Sequence, residues 1–238
     1  MGSEARSQNG FLAGLSADDF EALRPHLRTV AMTQSQELAR IGDTITHVYL
    51  PHSGIVSMVV ELGEGERVEV AMIGRDSIVN LGVALTGSTA VTTAVVMLAG
   101  TASMLEVERL SAVAERSLAL RTTMARHGLA LFIQAQQAAG CNASHAVETR
   151  LARWLLRVRD LYGSNNFTLT QELMAQMIGA RRNSVSLVAN SLQKAGHIRY
   201  SRGKIEIIDL DGLTKTTCEC YSVVRAQQAR LLRPPAAP

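Results

Sequence analysis

The 238-residue sequence predicts an α+β chain in three parts: an amino-terminal antiparallel β-roll or sandwich, a long helix, and a carboxy-terminal winged helix-turn-helix. Three observations carry that expectation. Gly42, Gly54, Gly63, Gly65, Gly74, Gly82, Gly87 and Gly100 cut residues 30–107 into short β-branched or apolar runs, the rhythm of successive antiparallel strands. Apolar side chains then recur at three- and four-residue steps through residues 108–137, the period of a helix. Finally, two short helical patterns meet at Gly179 and are followed by a strand, a turn and a strand.

Composition sets the bounds. With 47% hydrophobic and 19% charged residues the chain can bury substantial cores. No apolar run approaches the roughly 20 residues that span a bilayer, and MGSEARSQNG lacks the apolar centre of a secretory leader, so a cytoplasmic protein without a membrane partner is expected. The three cysteines, Cys141, Cys218 and Cys220, are expected to be reduced thiols. Cys218 and Cys220 read as too isolated for a metal site of the Cys-x-x-Cys kind, so no metal and no cofactor are expected. Charge is divided unevenly. Residues 1–140 hold 10 Lys and Arg against 14 Asp and Glu, whereas residues 141–238 hold 14 against 7. A basic carboxy-terminal part is the footprint of a polyanion site.

Taken in order, Ser16 with Asp19 three residues on forms an acidic capping box, and Leu15 with Phe20 a hydrophobic staple, which predicts a helix over residues 17–27. The clearest hairpin is IVSMVVELGEGERVEVAMIG, turning at Gly63-Glu64-Gly65. These elements belong to a sensor domain over residues 12–117. In the following helix, assigned to residues 118–140, Leu120, Met124, Gly128, Leu131, Ala135 and Ala138 form a stripe of small and medium side chains. The stripe suits packing on the β domain and on its own copy in a second chain, because small residues let helices approach closely.

A further helix is expected over residues 144–162, with Val147, Leu151, Trp154, Leu155 and Val158 on one face and Arg150, Arg153, Arg157 and Arg159 elsewhere, broken by Gly163-Ser164-Asn165-Asn166. Then Thr170 caps a helix over residues 171–178, Gly179 ends it, and a second helix carries Val185, Val188, Ala189 and Leu192 inward. Its other face presents Arg182, Asn183, Ser186, Leu187 and Asn190. After Arg181 and Arg182 no charge occurs for eleven residues, although the segment stays polar. Base edges ask for Arg, Asn and small hydroxyls, while a carboxylate facing phosphates is repelled. The pattern therefore points to double-stranded DNA. The hairpin HIRYSRGKIEIID would place Arg202 and Lys204 near phosphates, with Arg199 assisting. This DNA-binding unit spans residues 141–212, and residues 213–238 read as a packing helix, through Tyr221, Val224 and Leu231, with a disordered end.

This order of elements, with LTQELMAQMIGARRNSVSLVANSLQKAGHIRYSRGKI, resembles the Crp/Fnr superfamily of bacterial transcription regulators over nearly the whole chain. The resemblance implies a cytoplasmic homodimer joined by the long helix, docking on a near-palindromic operator and working with RNA polymerase. It also implies that Thr170 touches a phosphate, that Arg182 and Asn183 reach base edges, and that Ser184 and Ser186 support backbone or base contacts. Leu187 stands where family members often carry Arg.

In cyclic-nucleotide-binding relatives a Gly-Glu pair and, about ten residues later, an Arg with a small hydroxyl residue hold the ribose and phosphate. The corresponding stretch resembles SIVNLGVALTGSTAVTT, where Val79 and Asn80 replace Gly-Glu and Ala90 and Val91 replace Arg-Ser. Between Val79 and Val107 the only charge is Glu106, so cyclic AMP lacks its counter-charge. An uncharged effector, of unknown identity, could be lined by Asn80, Gly82, Thr89 and Thr92, with Thr86, Ser88 and Thr93 nearby; a packed β core is the plainer reading. Residues 1–140 contain no Cys for an iron-sulfur cluster, and His26, His47, His52 and His127 are scattered. Two rival functions remain at this level. One is an enzyme built on the Cys141 and His145 pair, for which no third group is visible. The other is a ligand-binding or protein-interaction module whose helix-turn-helix does not read DNA.

Overall fold

The computed structural model describes residue 6, residues 8–87 and residues 89–232. Ser88 and residues 233–238, the end of the tail, lie outside the described residues.

Asn9 opens the fold by capping a short helix α1 (Gly10–Ala13), accepting from the amides of Phe11 and Leu12 while its own amide donates to Pro51 and Ser77 carbonyls. Ser16 caps α2 (Ala17–Leu23), and the chain then tightens into a 3₁₀ turn at Arg24–His26, where Pro25 cannot continue the α-helical ladder. Seven strands follow: β1 (Arg28–Met32), β2 (Glu37–Ala39), β3 (His47–Pro51), β4 (Ile55–Glu61), β5 (Arg67–Ile73), β6 (Thr93–Leu98) and β7 (Gly100–Glu106). They form two antiparallel sheets, β1-β7-β3 and β2-β6-β4-β5. The turn at Gly63–Gly65 joins β4 to β5, as the hairpin pattern predicts. Between β5 and β6 the chain makes a helix, α3 (Leu81–Thr86), rather than continuous strand.

The long helical region divides. α4 (Val107–Arg116) stops at Ser117, which is extended (φ −119°, ψ 109°) and caps α5 (Leu118–Ser144) by accepting from the Leu120 amide. The Ser117 hydroxyl also donates to Asp19, so the break is anchored to α2. α5 lays Leu120, Met124, His127, Ala130, Gln134 and Ala138 on the β domain, all of them buried. Of the expected small-residue stripe, Leu120, Met124 and Ala138 are thus spent inside the chain, and Gly128, Leu131 and Ala135 are half-buried at its margin. The buried half of the stripe packs inside the chain, as expected, and the half-buried half leaves surface facing outward. The outward line of α5 is different: Leu118, Thr122, Ala125, Leu129, Phe132, Gln136 and Ala139 alternate by four and three residues and are all exposed.

α6 (Val147–Tyr162) ties the two halves together. Trp154 donates through Nε1 to Glu69 on β5 at 2.9 Å, and Arg157 pairs with Asp76 at 2.7 Å. Glu69 also accepts from Ser57 Oγ at 2.5 Å and is buried. Burial pushes its carboxyl from 4.5 up to about 7, against the pull of Ser57, Trp154, Arg153 and Arg157. Burial acts the opposite way on His127, held at about 4 beside Ser77.

The two groups have opposite effects on stability. Glu69, with a raised folded pKa, contributes stability that is present below about 4.5 and lost as pH rises to about 7. His127, with a depressed folded pKa, contributes stability that is present above 6.5 and lost as pH falls to about 4. We therefore expect the stability of Glu69→Gln relative to wild type to rise between pH 4.5 and 7, by on the order of 3 kcal/mol, leaving the His127 limb exposed. Thermal melts of both proteins across that range check this, and a constant difference would remove Glu69 as the cause.

The remaining elements are β8 (Asn166–Thr168), α7 (Gln171–Met177), α8 (Arg182–Lys194), β9 (Ile198–Ser201), β10 (Lys204–Ile207), α9 (Leu210–Thr216) and α10 (Cys220–Leu231). α10 lies along α5, with Val224 and Cys220 buried. That packing corrects one expectation. Cys218 and Cys220 are not isolated: with Cys141 and His145 they form a group whose ligand atoms all lie within 4.8 Å of one another. The three cysteines are free thiols.

Candidate nucleic-acid interface

Thr170 Oγ1 accepts from the Leu173 amide at 3.1 Å and so starts α7. Gly179 ends the turn after α7 at φ +59°, where a Cβ would come within 3.3 Å of the Val68 side chain of β5. A side chain at this position would be strained by the left-handed backbone as well as crowded. Arg150 holds the turn from below. It is buried, and its guanidinium donates to the carbonyls of Ile178 and Gly179, satisfying backbone acceptors that the end of α7 leaves open. Its position three residues after Val147 and four before Trp154 puts it on the apolar face of α6, and not on the other face where its charge alone would set it.

Helix α8 is set by Val185, Ala189 and Leu192, which are buried against Met174, Met177, Leu151 and Leu155, with Val188 half-buried beside them. The face turned outward carries Arg181, Arg182, Asn183, Leu187 and Asn190, all exposed; Leu187 is 72% exposed. Two arginines at a helix start, with no acidic residue in the first turn, oppose the positive end of the helix dipole. The arrangement lowers no energy within the chain. It fits an anion that arrives from outside.

Among the described residues Arg182 pairs with Glu172 of α7 at 3.8 Å, both side chains exposed, so the pair opens at little cost. Ser184 is half-buried. The Ser186 hydroxyl donates to Gln171 Oε1 at 2.5 Å and lies 3.0 Å from the Arg182 carbonyl, which ties α8 to α7.

The wing is the hairpin of β9 and β10, which β8 extends to a three-stranded sheet in the order β8-β10-β9. Arg202 (φ +50°) and Gly203 (φ +81°) form its turn, both in the left-handed region that a tight two-residue hairpin requires. Arg202 and Lys204 are exposed at the tip. Arg199 faces Glu206 across the strands at 2.5 Å, both side chains exposed.

A family model for the Crp-like helix-turn-helix domain matches residues 149–216, and one for the cyclic nucleotide-binding domain matches residues 30–117. The chain belongs to the Crp/Fnr superfamily. It is a DNA-binding transcription regulator with a cyclic-nucleotide-binding-like domain ahead of the reader. The fold is shared with solved regulators of low identity. A Crp/Fnr-family regulator from Eubacterium rectale aligns with a TM-score of 0.70 at 16% identity, covering 88% of this chain and 98% of that one. FixK2 from Bradyrhizobium japonicum aligns with 0.70 at 15%, covering 81% and 98%. The regulator CLP of Xanthomonas campestris, described as responsive to c-di-GMP, aligns with 0.66 at 16%, covering 81% and 99%. No curated protein matches the sequence.

Within the Crp/Fnr fold, the four residues singled out for an effector differ in exposure. Asn80 is buried in the left-handed region and its amide donates to the His47 carbonyl at 3.1 Å, whereas Gly82 and Thr89 face solvent and Thr92 is half-buried. Cys141 is wholly buried at the end of α5, closed to a substrate. No helix among the described residues is long and apolar enough to cross a membrane.

Proposed function

We propose that this regulator binds near-palindromic DNA as a homodimer in the cytoplasm, through the exposed face of α8 and the wing, without control by cyclic AMP. One observation carries the reading: the reader helix exposes Arg181, Arg182, Asn183 and Asn190 and has no carboxylate along its length. Arg182 and Asn183 meet base edges, Leu187 meets a thymine methyl or leaves one base pair unread, and Thr170, Arg202 and Lys204 touch phosphates.

Support for the dimer comes from the outward line of α5. Leu129 and Phe132 are 47% and 58% exposed within a run that alternates by four and three residues, the spacing of a two-helix seam. A two-fold axis along that seam presents two reader helices to one side of a duplex, where RNA polymerase is the expected further partner. Independence from cyclic AMP is supported by the region from Val79 to Leu105, which offers the cyclic phosphate no cation.

Fluorescence anisotropy of a labelled operator duplex tests the whole reading. Binding is expected without any nucleotide, unchanged by added cyclic AMP, and falling with log salt by about 0.9 per phosphate neutralised. Affinity indifferent to salt, or appearing only with cyclic AMP, would contradict it.

A further inference from the structure

The packing of α10 on α5 brings together four side chains that chain order keeps apart. Cys141 is in the last turn of α5, His145 is its cap, and Cys218 and Cys220 flank the start of α10. Cys141 Sγ is 3.6 Å from Cys218 Sγ, and Cys220 Sγ is 3.5 Å from His145 Nδ1. All four ligand atoms lie within 4.8 Å of one another, and the three sulfurs are buried.

We propose that Cys141, His145, Cys218 and Cys220 bind one zinc ion per chain. Zinc bonds of about 2.3 Å to sulfur and 2.0–2.1 Å to nitrogen give tetrahedral edges of about 3.8 Å between sulfurs and about 3.5 Å between sulfur and nitrogen. These two separations are already close to those edges, and with all four atoms within 4.8 Å small side-chain rotations close the rest. A four-iron cluster, with each sulfur on a different iron, needs the ligands farther apart than this.

The surroundings fit a metal as well as the ligands do. His145 turns its other nitrogen, Nε2, to the Glu219 carboxylate at 3.3 Å, the partner that orients a metal-bound imidazole and fixes its tautomer. Gln137 Nε2 donates to Cys220 Sγ at 3.1 Å, a bond that a thiolate accepts more strongly than a thiol. Within the fold, zinc here fastens α10 to the end of α5, two residues before α6 begins to carry the reader domain. The ion is structural, with four protein ligands and no open position.

The test uses the full chain purified without a metal-affinity tag under reducing conditions. Elemental analysis is expected to find one zinc per chain. Exchange with cobalt(II) is expected to give the intense visible bands of tetrahedral cobalt and a near-ultraviolet sulfur-to-cobalt charge-transfer band. Cys218→Ser and Cys220→Ser should lose the metal. Should either variant fail to fold, His145→Cys decides the matter: it retains the ion, and its cobalt charge-transfer band gains intensity as a fourth thiolate replaces the imidazole. Protein that takes up neither zinc nor cobalt would overturn the proposal. So would metal content unchanged in both serine variants, a His145→Cys spectrum identical to wild type, or a Cys141–Cys218 disulfide found in the purified chain by alkylation and mass spectrometry.

Discussion

Phe132→Asp is expected to yield a folded monomer. Phe132 is 58% exposed on α5, so its loss removes little packing inside the chain, but in a two-helix seam the substitution sets two carboxylates against each other in an apolar setting. Sedimentation should give the mass of one chain with an unchanged circular dichroism spectrum. Operator affinity should fall by on the order of a hundredfold or more, because each half-site must then be bound without the gain from tethering the two readers. The contrast with the inward face is sharp. Met124→Asp, at a fully buried position, should unfold the β domain's contact with α5 before any question of assembly arises. A Phe132→Asp protein that remains dimeric would place the interface away from this seam.

Arg182→Ala and Lys204→Ala should weaken DNA binding in different ways. Arg182 stands at the first turn of α8, released from Glu172 at little cost. Removing its bidentate donors should cost about 1–3 kcal/mol on the specific site, roughly 5- to 150-fold, and relax preference at one base pair. Lys204 sits at the wing tip and meets phosphate, so its removal should weaken all duplexes alike and lower the salt slope by about one unit. Competition binding against single-base variants of the operator separates the two. If Arg182→Ala lost affinity uniformly, its role would be phosphate contact and not base reading.

How much of this was legible in the sequence follows from the physics of each element. The sandwich could be read because glycines punctuate strands locally, and the reader helix because Val185, Ala189 and Leu192 face inward at helical spacing opposite an uncharged polar face. The break at Ser117 was obscured because the apolar period continues through it, although a serine ahead of LALR is itself a cap signal. The polar members of the inward face of α5 were hidden for a related reason. His127 and Gln134 are polar yet buried, since they bond Ser77 and the Met72 amide, and so the inward face did not look apolar. Ser186 and Arg199 could be placed on their elements but not assigned partners, because Gln171 and Glu206 meet them only once the helices and strands have paired. The cysteine and histidine group was invisible for the strongest reason. Cys141 and Cys218 are 77 residues apart, and only the docking of α10 on α5 brings them together.

The central claim is that two copies of α8, joined through α5, read the two halves of one operator. Selection of bound fragments from random duplexes, followed by footprinting, tests it most directly. Two inverted half-sites with centres about one helical turn apart are expected. Enrichment of a single unpaired site, of direct repeats, or of no sequence at all would contradict it.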